Sequence, residues 1–162
     1  MKQNLIMRPL QQNDAAFLCS IFADNAEYYQ IFHDSETCVA QWEARVSRFI
    51  RQKEVAHYIL QDGERKVGWL SFSDLSPEAR ELDILVICRE YLRCGYGSAA
   101  LSQLLEKCRE EAVASIVLNV NQSNGRAIRF YEKFGFEICG EEIVPECNDA
   151  IDLAQYKMKL NL

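Results

Sequence analysis

The sequence has little of what several classes of protein require. It has no run of about 18 apolar residues, and MKQNLIMRPLQQND at its start has no apolar h-region of a signal peptide, so neither a membrane-spanning helix nor a secretory leader is expected. Its 7 glycines and 3 prolines are too few for a collagen-like or linker-like chain. Its 18 basic residues are outnumbered by 24 acidic ones, and the net charge of −6 argues against nucleic acid as a partner.

The chain also has few groups that could bind a metal or build a disulfide framework. Its two histidines, His33 and His57, do not cluster with cysteines at the spacing of a zinc site, so no metal is expected. The 7 cysteines are odd in number, and no two have Cys-x-x-Cys spacing. Free thiols of this kind are typical of a reducing compartment, and the sequence therefore predicts a cytoplasmic protein without a membrane partner.

Hydrophobic residues are plentiful at 49% of the chain, enough for a sizeable core in one domain covering residues 1–162. Hydrophobic periodicity predicts elements in the order β-α-α-β-β-β-α-β-α-β-β. The predicted strands are 4–8, 57–61, 66–73, 81–87, 115–120, 136–140 and 152–160, and the last two predicted helices are 98–111 and 125–134. We expect a single-domain α/β fold with a mixed, partly antiparallel central sheet flanked by helices.

Apolar residues at helical spacing also predict which side of each helix is buried. They are Phe17, Leu18, Ile21 and Phe22 in a first helix that begins at Asn13 or Asp14; Val39, Trp42, Val46, Phe49 and Ile50 in a second that begins at Asp34 or Ser35; and Leu101, Leu104, Leu105 and Cys108 in a third. Residues 27–33, between the first two helices, fit either a helix end or a loop. Asp62-Gly63 predicts a turn between two strands, with a loop longer than two residues.

The most informative segment is the turn from the strand 81–87 into the helix 98–111. Gly95 and Gly97 allow the backbone to approach a ligand closely, and the first amides of a helix have no intrahelical partners. These amides lie at the positive end of the helix dipole, so a phosphate or pyrophosphate is the expected ligand. The third glycine of a dinucleotide fingerprint and the Gly-Lys-Ser/Thr of a P-loop are both missing.

Two blocks of sequence at and beyond this turn resemble the GNAT superfamily of acetyl-CoA-dependent N-acetyltransferases. Residues 91–101 (YLRCGYGSAAL) match the family's pyrophosphate loop, Arg/Gln-x-x-Gly-x-Gly/Ala. Residues 124–136 (NGRAIRFYEKFGF) match its Asn-x-x-Ala-x-x-x-Tyr-x-x-x-Gly-Phe signature. The predicted order of elements also agrees with the family from Asn4 to the C-terminus. The chain departs at one position, where Leu92 stands in place of the family's Arg or Gln and is followed by Arg93.

The resemblance implies that acetyl-CoA is the co-substrate. The main-chain amides implied to hold its pyrophosphate are those of Leu92, Arg93, Cys94, Gly95, Tyr96, Gly97 and Ser98. The main chain of Ile87 is implied to pair with the pantetheine arm. Asn124 is implied to contact the same arm, although a helix cap is an equally simple role for it.

Acyl transfer also requires that a proton leave the acceptor amine. An alkyl ammonium has a pKa of about 10.4, so it is protonated at neutral pH and has no lone pair to attack a thioester. The resemblance implies that Glu81 is the base. Asp83 lies on the same face of the strand by alternation, so it is a second candidate, and a water relay is a third.

Tyr131 matches the family tyrosine that protonates the leaving thiolate, and its alternative role is that of an aromatic packing residue. A covalent route through Cys88 or Cys94 is chemically sound, but direct transfer is favoured.

The acceptor is implied to be a primary amine of a small molecule or of a protein N-terminus. Residues 27–33 and the acidic residues 141–152 are implied to hold it, and the sequence does not separate the two kinds of acceptor. Two other readings are a non-catalytic acyl-CoA-binding module and a partner-binding domain that uses Tyr28, Tyr29 and Phe32. The sequence leaves homodimerisation open.

Overall fold

The computed structural model describes residues 4–25, 39–144 and 153–162, which form a mixed sheet of seven strands with helices on both faces. The elements are β1 (Leu5–Pro9), α1 (Ala15–Asp24), α2 (Val39–Arg51), β2 (Val55–Asp62), β3 (Arg65–Ser76), β4 (Ala79–Ile87), α3 (Tyr96–Glu110), β5 (Ser115–Asn121), α4 (Gly125–Lys133), β6 (Glu137–Val144) and β7 (Leu153–Asn161). Short 3-10 helices cover Gln12–Asp14 and Arg89–Tyr91. The predicted fold class and order of elements are confirmed.

The strands lie in the order β1-β2-β3-β4-β5-β7-β6, and every neighbouring pair except β4–β5 is antiparallel. The parallel β4–β5 ladder joins only residues 79–81 to residues 115–117. Beyond Glu81 and Val117 the two strands are no longer paired with each other, while β5 stays paired with β7 along its whole length. A gap therefore opens in the sheet toward the carboxyl ends of β4 and β5.

Two hydrophobic clusters cover the two faces of the sheet unequally. The larger packs α3 and α4 against strands across the sheet and includes the fully buried Leu70, Leu104 and Leu118. The smaller packs α1 and α2 against β2, β3 and β4, and no residue of β5, β6 or β7 belongs to it among the described residues. On the face that carries α1 and α2, strands β5, β7 and β6 are therefore not covered by this cluster.

A bulge in β4 changes which of its side chains point to each face. Leu82 pairs with Phe72, and Ile84 pairs with the neighbouring Ser71. Asp83, between them, is therefore an extra residue without a register partner in β3. A bulge of this kind breaks the strict alternation of a strand and turns side chains to new directions. Leu82 consequently belongs to the α3/α4 cluster, whereas Ile84 packs against the α1/α2 cluster.

Some sequence predictions are wrong in detail. Asp62 pairs with Arg65, so the hairpin loop has two residues rather than more, and Gly63 with φ of +60° supplies its turn. Val39 and Ile50 are 43% and 46% exposed, because they lie in the first and last turns of α2. α3 begins at Tyr96, two residues earlier than expected.

Among the described residues, no helix is both long and apolar enough to cross a membrane.

Candidate active site

A cleft of about 560 Å³ lies between the end of β4, the turn into α3 and one side of α4. Leu85, Val86 and Ile87 line it from β4, beyond the point where β4 and β5 cease to pair. The predicted site residues that line this cleft are Ile87, Leu92, Arg93, Gly95, Tyr96, Gly97, Ser98, Asn124 and Tyr131. Cys94 and Glu81 are not among its lining residues. The structure thus brings most of the predicted site together.

The turn into α3 presents main-chain amides to the cleft. Gly95 precedes the helix with φ of +88°, and no side chain caps the helix at this position. The first intrahelical hydrogen bond runs from the Ala99 amide to the Gly95 carbonyl, 3.0 Å away. The amides of Tyr96, Gly97 and Ser98 come before it, as expected at a helix N-terminus. Arg93 also has a positive φ of +63°, and such alternation of backbone conformation forms concave anion sites.

Gly97 leaves space that the protein itself does not fill. A Cβ atom at this position would lie 3.7 Å from both Ile87 Cγ1 and Phe130 Cζ, which are ordinary contacts. Its φ is not in the left-handed region, so neither backbone conformation nor crowding requires glycine. The absence of a side chain instead leaves the helix N-terminus open to a ligand in the cleft.

The end of β4 has unpaired main-chain groups facing the gap. The Cys88 amide donates to the Val67 carbonyl of β3 at 2.9 Å. Because main-chain groups alternate in direction along an antiparallel ladder, the N–H and C=O of Ile87 point away from β3. An extended ligand in the cleft could therefore pair with Ile87.

The side chains that line the cleft are basic where they are charged. Arg93, Arg126, Arg129 and Lys133 line it, and none of its described lining residues is acidic. This is a local reversal in a chain whose net charge is −6. The three basic residues of α4 were not among the site residues predicted from the sequence, although their spacing of three and four residues places them on one side of a helix.

Several loop residues contribute main chain rather than side chain. The Tyr96 ring is buried, and its hydroxyl donates to Asp62 Oδ2 at 2.6 Å, away from any ligand role. Cys94 is exposed, with its Sγ 3.7 Å from the Leu92 carbonyl. Burial, together with the charge of Glu90, raises the pKa of the Cys88 thiol to about 11. A thiol that is so rarely ionised is a poor nucleophile, which argues against a covalent route through Cys88.

Asn124 caps α4, since its Oδ1 accepts a hydrogen bond from the Ala127 amide at 3.1 Å. The helix-cap role is therefore observed. Asn124 also lines the cleft, and its amide nitrogen is still able to donate to a ligand.

Tyr131 lies in α4 at the wall of the cleft and is 9% exposed. Its ring packs edge-on against Phe130 and Phe136, with centroids 5.2 and 5.6 Å away. Burial raises the pKa of the phenol above its usual range, so the hydroxyl keeps its proton at physiological pH. Tyr131 therefore packs as an aromatic residue and also belongs to the lining of the cleft with its hydroxyl protonated.

The two candidate bases lie near the gap on the α1/α2 face of the sheet. Glu81 Oε1 accepts a hydrogen bond from Asn119 Nδ2 of β5 at 3.1 Å. Asp83 Oδ1 accepts one from Ser73 Oγ of β3 at 3.2 Å. Burial, followed by the charge of Glu81, raises the pKa of Asp83 to about 6, and the Ser73 hydrogen bond opposes this rise.

Residues 27–33 and most of 141–152, which the resemblance assigns to the acceptor, lie outside the described residues, as do Tyr28, Tyr29 and Phe32. Residues 141–144 are described and belong to β6. Among the described residues, no three His, Cys, Asp or Glu side chains are arranged to hold a metal ion.

Known proteins similar to this chain are acetyltransferases by name. Mycothiol acetyltransferase of Corynebacterium glutamicum (strain R) is 30% identical over 87 residues, which cover 54% of this chain and 30% of that protein. N-alpha-acetyltransferase 50 of Danio rerio is 38% identical over 68 residues, 40% of each chain. The chain thus spans well under half of the length of these curated relatives.

Solved structures share the fold over nearly the whole chain. Spermidine N-acetyltransferase from Vibrio cholerae, in complex with CoA and spermine, superposes with a TM-score of 0.80 at 17% identity, covering 97% of this chain and 95% of that one. An acetyltransferase from Thermus thermophilus gives a TM-score of 0.75 at 19% identity, covering 96% and 97%. The family model described as the acetyltransferase (GNAT) family matches residues 16–136. The chain therefore belongs to the GNAT acetyltransferase family.

Proposed function

We propose that this protein is an N-acetyltransferase that transfers the acetyl group of acetyl-CoA directly to a primary amine of a small molecule or a protein N-terminus. The observation that carries the proposal is the cleft. Helix amides, four basic side chains and an unpaired strand end all face one space, and they suit the phosphates and the amide-containing arm of CoA.

Each part of the cleft has a role in binding this co-substrate. The amides of Tyr96, Gly97 and Ser98 would hold the pyrophosphate, because a helix N-terminus favours anions. Ile87 would pair its main chain with the amides of the pantetheine arm, as in an added strand. Backbone amides do not depend on the residue at position 92, so Leu92 in place of Arg or Gln is compatible with binding. The basic residues of α4 would add charge-assisted contacts to phosphate oxygens.

The chemistry uses groups from both faces of the sheet. A carboxylate of the Glu81/Asp83 pair takes a proton from the acceptor, and the amine nitrogen forms a bond to the acetyl carbon. Main-chain N–H groups at the end of β4, near Ile87, stabilise the oxyanion of the tetrahedral intermediate. As the C–S bond breaks, the Tyr131 hydroxyl donates its proton to the leaving thiolate.

The acceptor would approach the gap from the α1/α2 face, where the two carboxylates attract an ammonium group. Relatives named for spermidine N-acetylation and N-alpha-acetylation support a nitrogen acceptor in general terms, and a third is named for mycothiol. They differ among themselves, so the acceptor is proposed here only as an amine.

A thiol-release assay with acetyl-CoA and a panel of amines tests the proposal. The panel would contain spermidine, an unblocked tripeptide and an aminoglycoside, and an acetylated tripeptide would serve as the control without a free amine. We expect CoA thiol to appear only when a free amine is present. Binding of acetyl-CoA without amine-dependent release would instead leave the non-catalytic acyl-CoA-binding module.

A further inference from the structure

Four polar side chains form a connected group on the α1/α2 face of the sheet, across three strands. They are Ser73 of β3, Glu81 and Asp83 of β4, and Asn119 of β5. Ser73 is the register partner of Glu81, yet its hydroxyl donates to Asp83 at 3.2 Å. Asn119 donates to Glu81 at 3.1 Å from the opposite side. Each carboxylate thus has its own donor, and the two carboxylates are neighbours.

The two carboxylates differ in their position relative to the gap. Glu81 belongs to the last paired row of the β4–β5 ladder, where Val117 is its partner. Asp83 lies beyond that row, on the part of β4 that no longer pairs with β5. At roughly 3.3 Å per residue, Asp83 is about 7 Å along the strand from the cleft residue Leu85, and Glu81 is about 13 Å away.

Asp83 shares the α1/α2 side with Glu81 by ordinary alternation, and the bulge redirects the residue that follows it. In a regular strand the side chains at 82 and 84 would share a face, with 83 opposite. The extra residue instead brings Ile84 to the α1/α2 side as well, where it follows Asp83 and flanks the carboxylate that Ser73 contacts. Bulges near active sites commonly re-aim a side chain in this way.

The other titratable groups on this face lie further from Asp83. His57 of β2 and the pair Lys157 and Lys159 of β7 are each two strands away from β4, roughly 10 Å at the usual strand spacing. Burial lowers the pKa of His57 to about 4, so its ring is neutral near pH 6. Among the described residues, Glu81 is therefore the charged group that acts on Asp83 at short range.

Building on the proposed function, we propose that Asp83 is the catalytic base that accepts the proton of the acceptor amine, and that Glu81 and Asn119 are positioning residues for it. Glu81 sets the charge beside Asp83, and Asn119 holds Glu81 in place. The Asp83 side chain is exposed, so an amine can reach it and the proton can later leave to water.

The proton and electron balance is simple. The acceptor arrives as an ammonium and first loses one proton through Asp83 to water. The lone pair of the neutral amine then forms the bond to the acetyl carbon, and an N–H bond of the attached nitrogen breaks as its proton moves to a carboxylate oxygen of Asp83. The C–S bonding pair leaves with sulfur, which takes the proton of Tyr131. Water then removes the proton from Asp83, and Tyr131 regains one from solvent.

The test is the pH dependence of kcat, measured at saturating acetyl-CoA with the amine of the panel that turns over fastest. The wild-type rate should fall on the acid side with an apparent pKa near 6, because protonated Asp83 cannot accept a proton. Asp83→Asn should remove this fall and lower kcat roughly 10²- to 10⁴-fold.

Two further variants should shift the pH at which kcat falls on the acid side (the acid fall) in opposite directions. Glu81→Gln removes the charge that raises the pKa of Asp83, so the fall should shift to lower pH by on the order of half a unit to one unit. Ser73→Ala removes the hydrogen bond that lowers this pKa, so the fall should shift to higher pH. Asn119→Ala should shift it in the direction of Glu81→Gln by less, since the Glu81 carboxylate can then turn away.

Asn121→Ala is the matched control, because Asn121 lies on the same strand and face and bonds to Gln155 instead. Its profile should equal that of the wild type. Loss of the acid fall in Glu81→Gln, with retention in Asp83→Asn, would overturn the assignment in favour of Glu81. Profiles unchanged in all variants would overturn it in favour of a water relay. If wild-type protein releases no thiol with any amine, the proposed function itself has failed, which the panel assay detects first.

Discussion

The two faces of the sheet at the β4–β5 gap differ in what they offer a ligand. The α3/α4 face offers main-chain amides and basic side chains, with no acidic residue among the described lining residues of the cleft. The α1/α2 face offers two carboxylates with amide and hydroxyl donors. A polyanionic co-substrate and a cationic acceptor would therefore be drawn to opposite faces, and they would meet only where the strands separate.

The comparison also shows two ways of building a site. On the α3/α4 face, the proposed recognition of the co-substrate would depend on the backbone of one continuous turn, from Leu92 to Ser98, most of which lines the cleft. On the α1/α2 face, recognition of the acceptor would depend on side chains from three strands that are neighbours only because the sheet brings them together. Substitutions on the first face should change co-substrate binding, and those on the second should change proton transfer.

The largest effect is expected from Gly97→Asp. A carboxylate at the helix N-terminus would occupy and repel the place of the pyrophosphate, so the affinity for acetyl-CoA should fall by more than about 100-fold. Calorimetric titration measures it. Ser102→Asp adds the same charge to an exposed position of the same helix and should bind normally. An unchanged affinity in folded Gly97→Asp would remove the pyrophosphate from this turn.

Tyr131→Phe should lower kcat roughly 10²- to 10⁴-fold, because it removes only the proton donor and keeps the packed ring. The KM for acetyl-CoA should change much less, since the hydroxyl acts mainly in the transition state. Tyr58→Phe removes a different tyrosine hydroxyl and should leave kcat unchanged. If rapid-mixing measurements find a normal acetyl-transfer step in Tyr131→Phe, the residue serves packing alone.

Arg129→Ala should weaken acetyl-CoA binding roughly tenfold, as expected for one charge-assisted hydrogen bond. The loss should shrink at high salt, because screening weakens partly exposed charges. Arg109→Ala, on the exposed side of α3, is the matched control and should bind as wild type. Equal losses in both variants would indicate a general charge effect rather than a contact within the cleft.

The smallest expected effect separates folding from binding at one position. Gly97→Ala replaces a helical glycine where a Cβ meets only ordinary contacts, so it should stabilise the fold by about 0.5–1 kcal/mol. The same methyl narrows the approach to the helix amides, so the affinity for acetyl-CoA should fall several-fold. Thermal unfolding and calorimetry together test this. If stability and affinity for acetyl-CoA both increased, the prediction that acetyl-CoA binds at this turn would be wrong.

The sequence predicted the elements well because they follow local rules. Periodicity alone located all seven strands and the burial of Leu101, Leu104 and Cys108. It failed where position in the whole molecule decides. Val39 has the same hydrophobic spacing as the buried Trp42, but it lies at the end of α2 and is exposed.

The site divides in the same way. The turn before α3 could be recognised from the sequence because a backbone that exposes helix amides to a ligand favours glycine. Gly95 and Gly97 mark it within one short stretch. The basic residues of α4 could have been found from their spacing, but the direction they face depends on how α4 packs beside α3. The predicted role of Glu81 as base stays a prediction, as does that of Tyr131.

By itself, then, the sequence determined the order of strands and helices, the glycine turn before α3 and the resemblance to the family, because local backbone preference and hydrophobic period are written residue by residue. Only the tertiary structure decided where β4 and β5 part and where β4 bulges. It also decided that Asn119 and Ser73 meet Glu81 and Asp83. These features depend on strand register, which is set by the packing of the whole sheet rather than by any one segment.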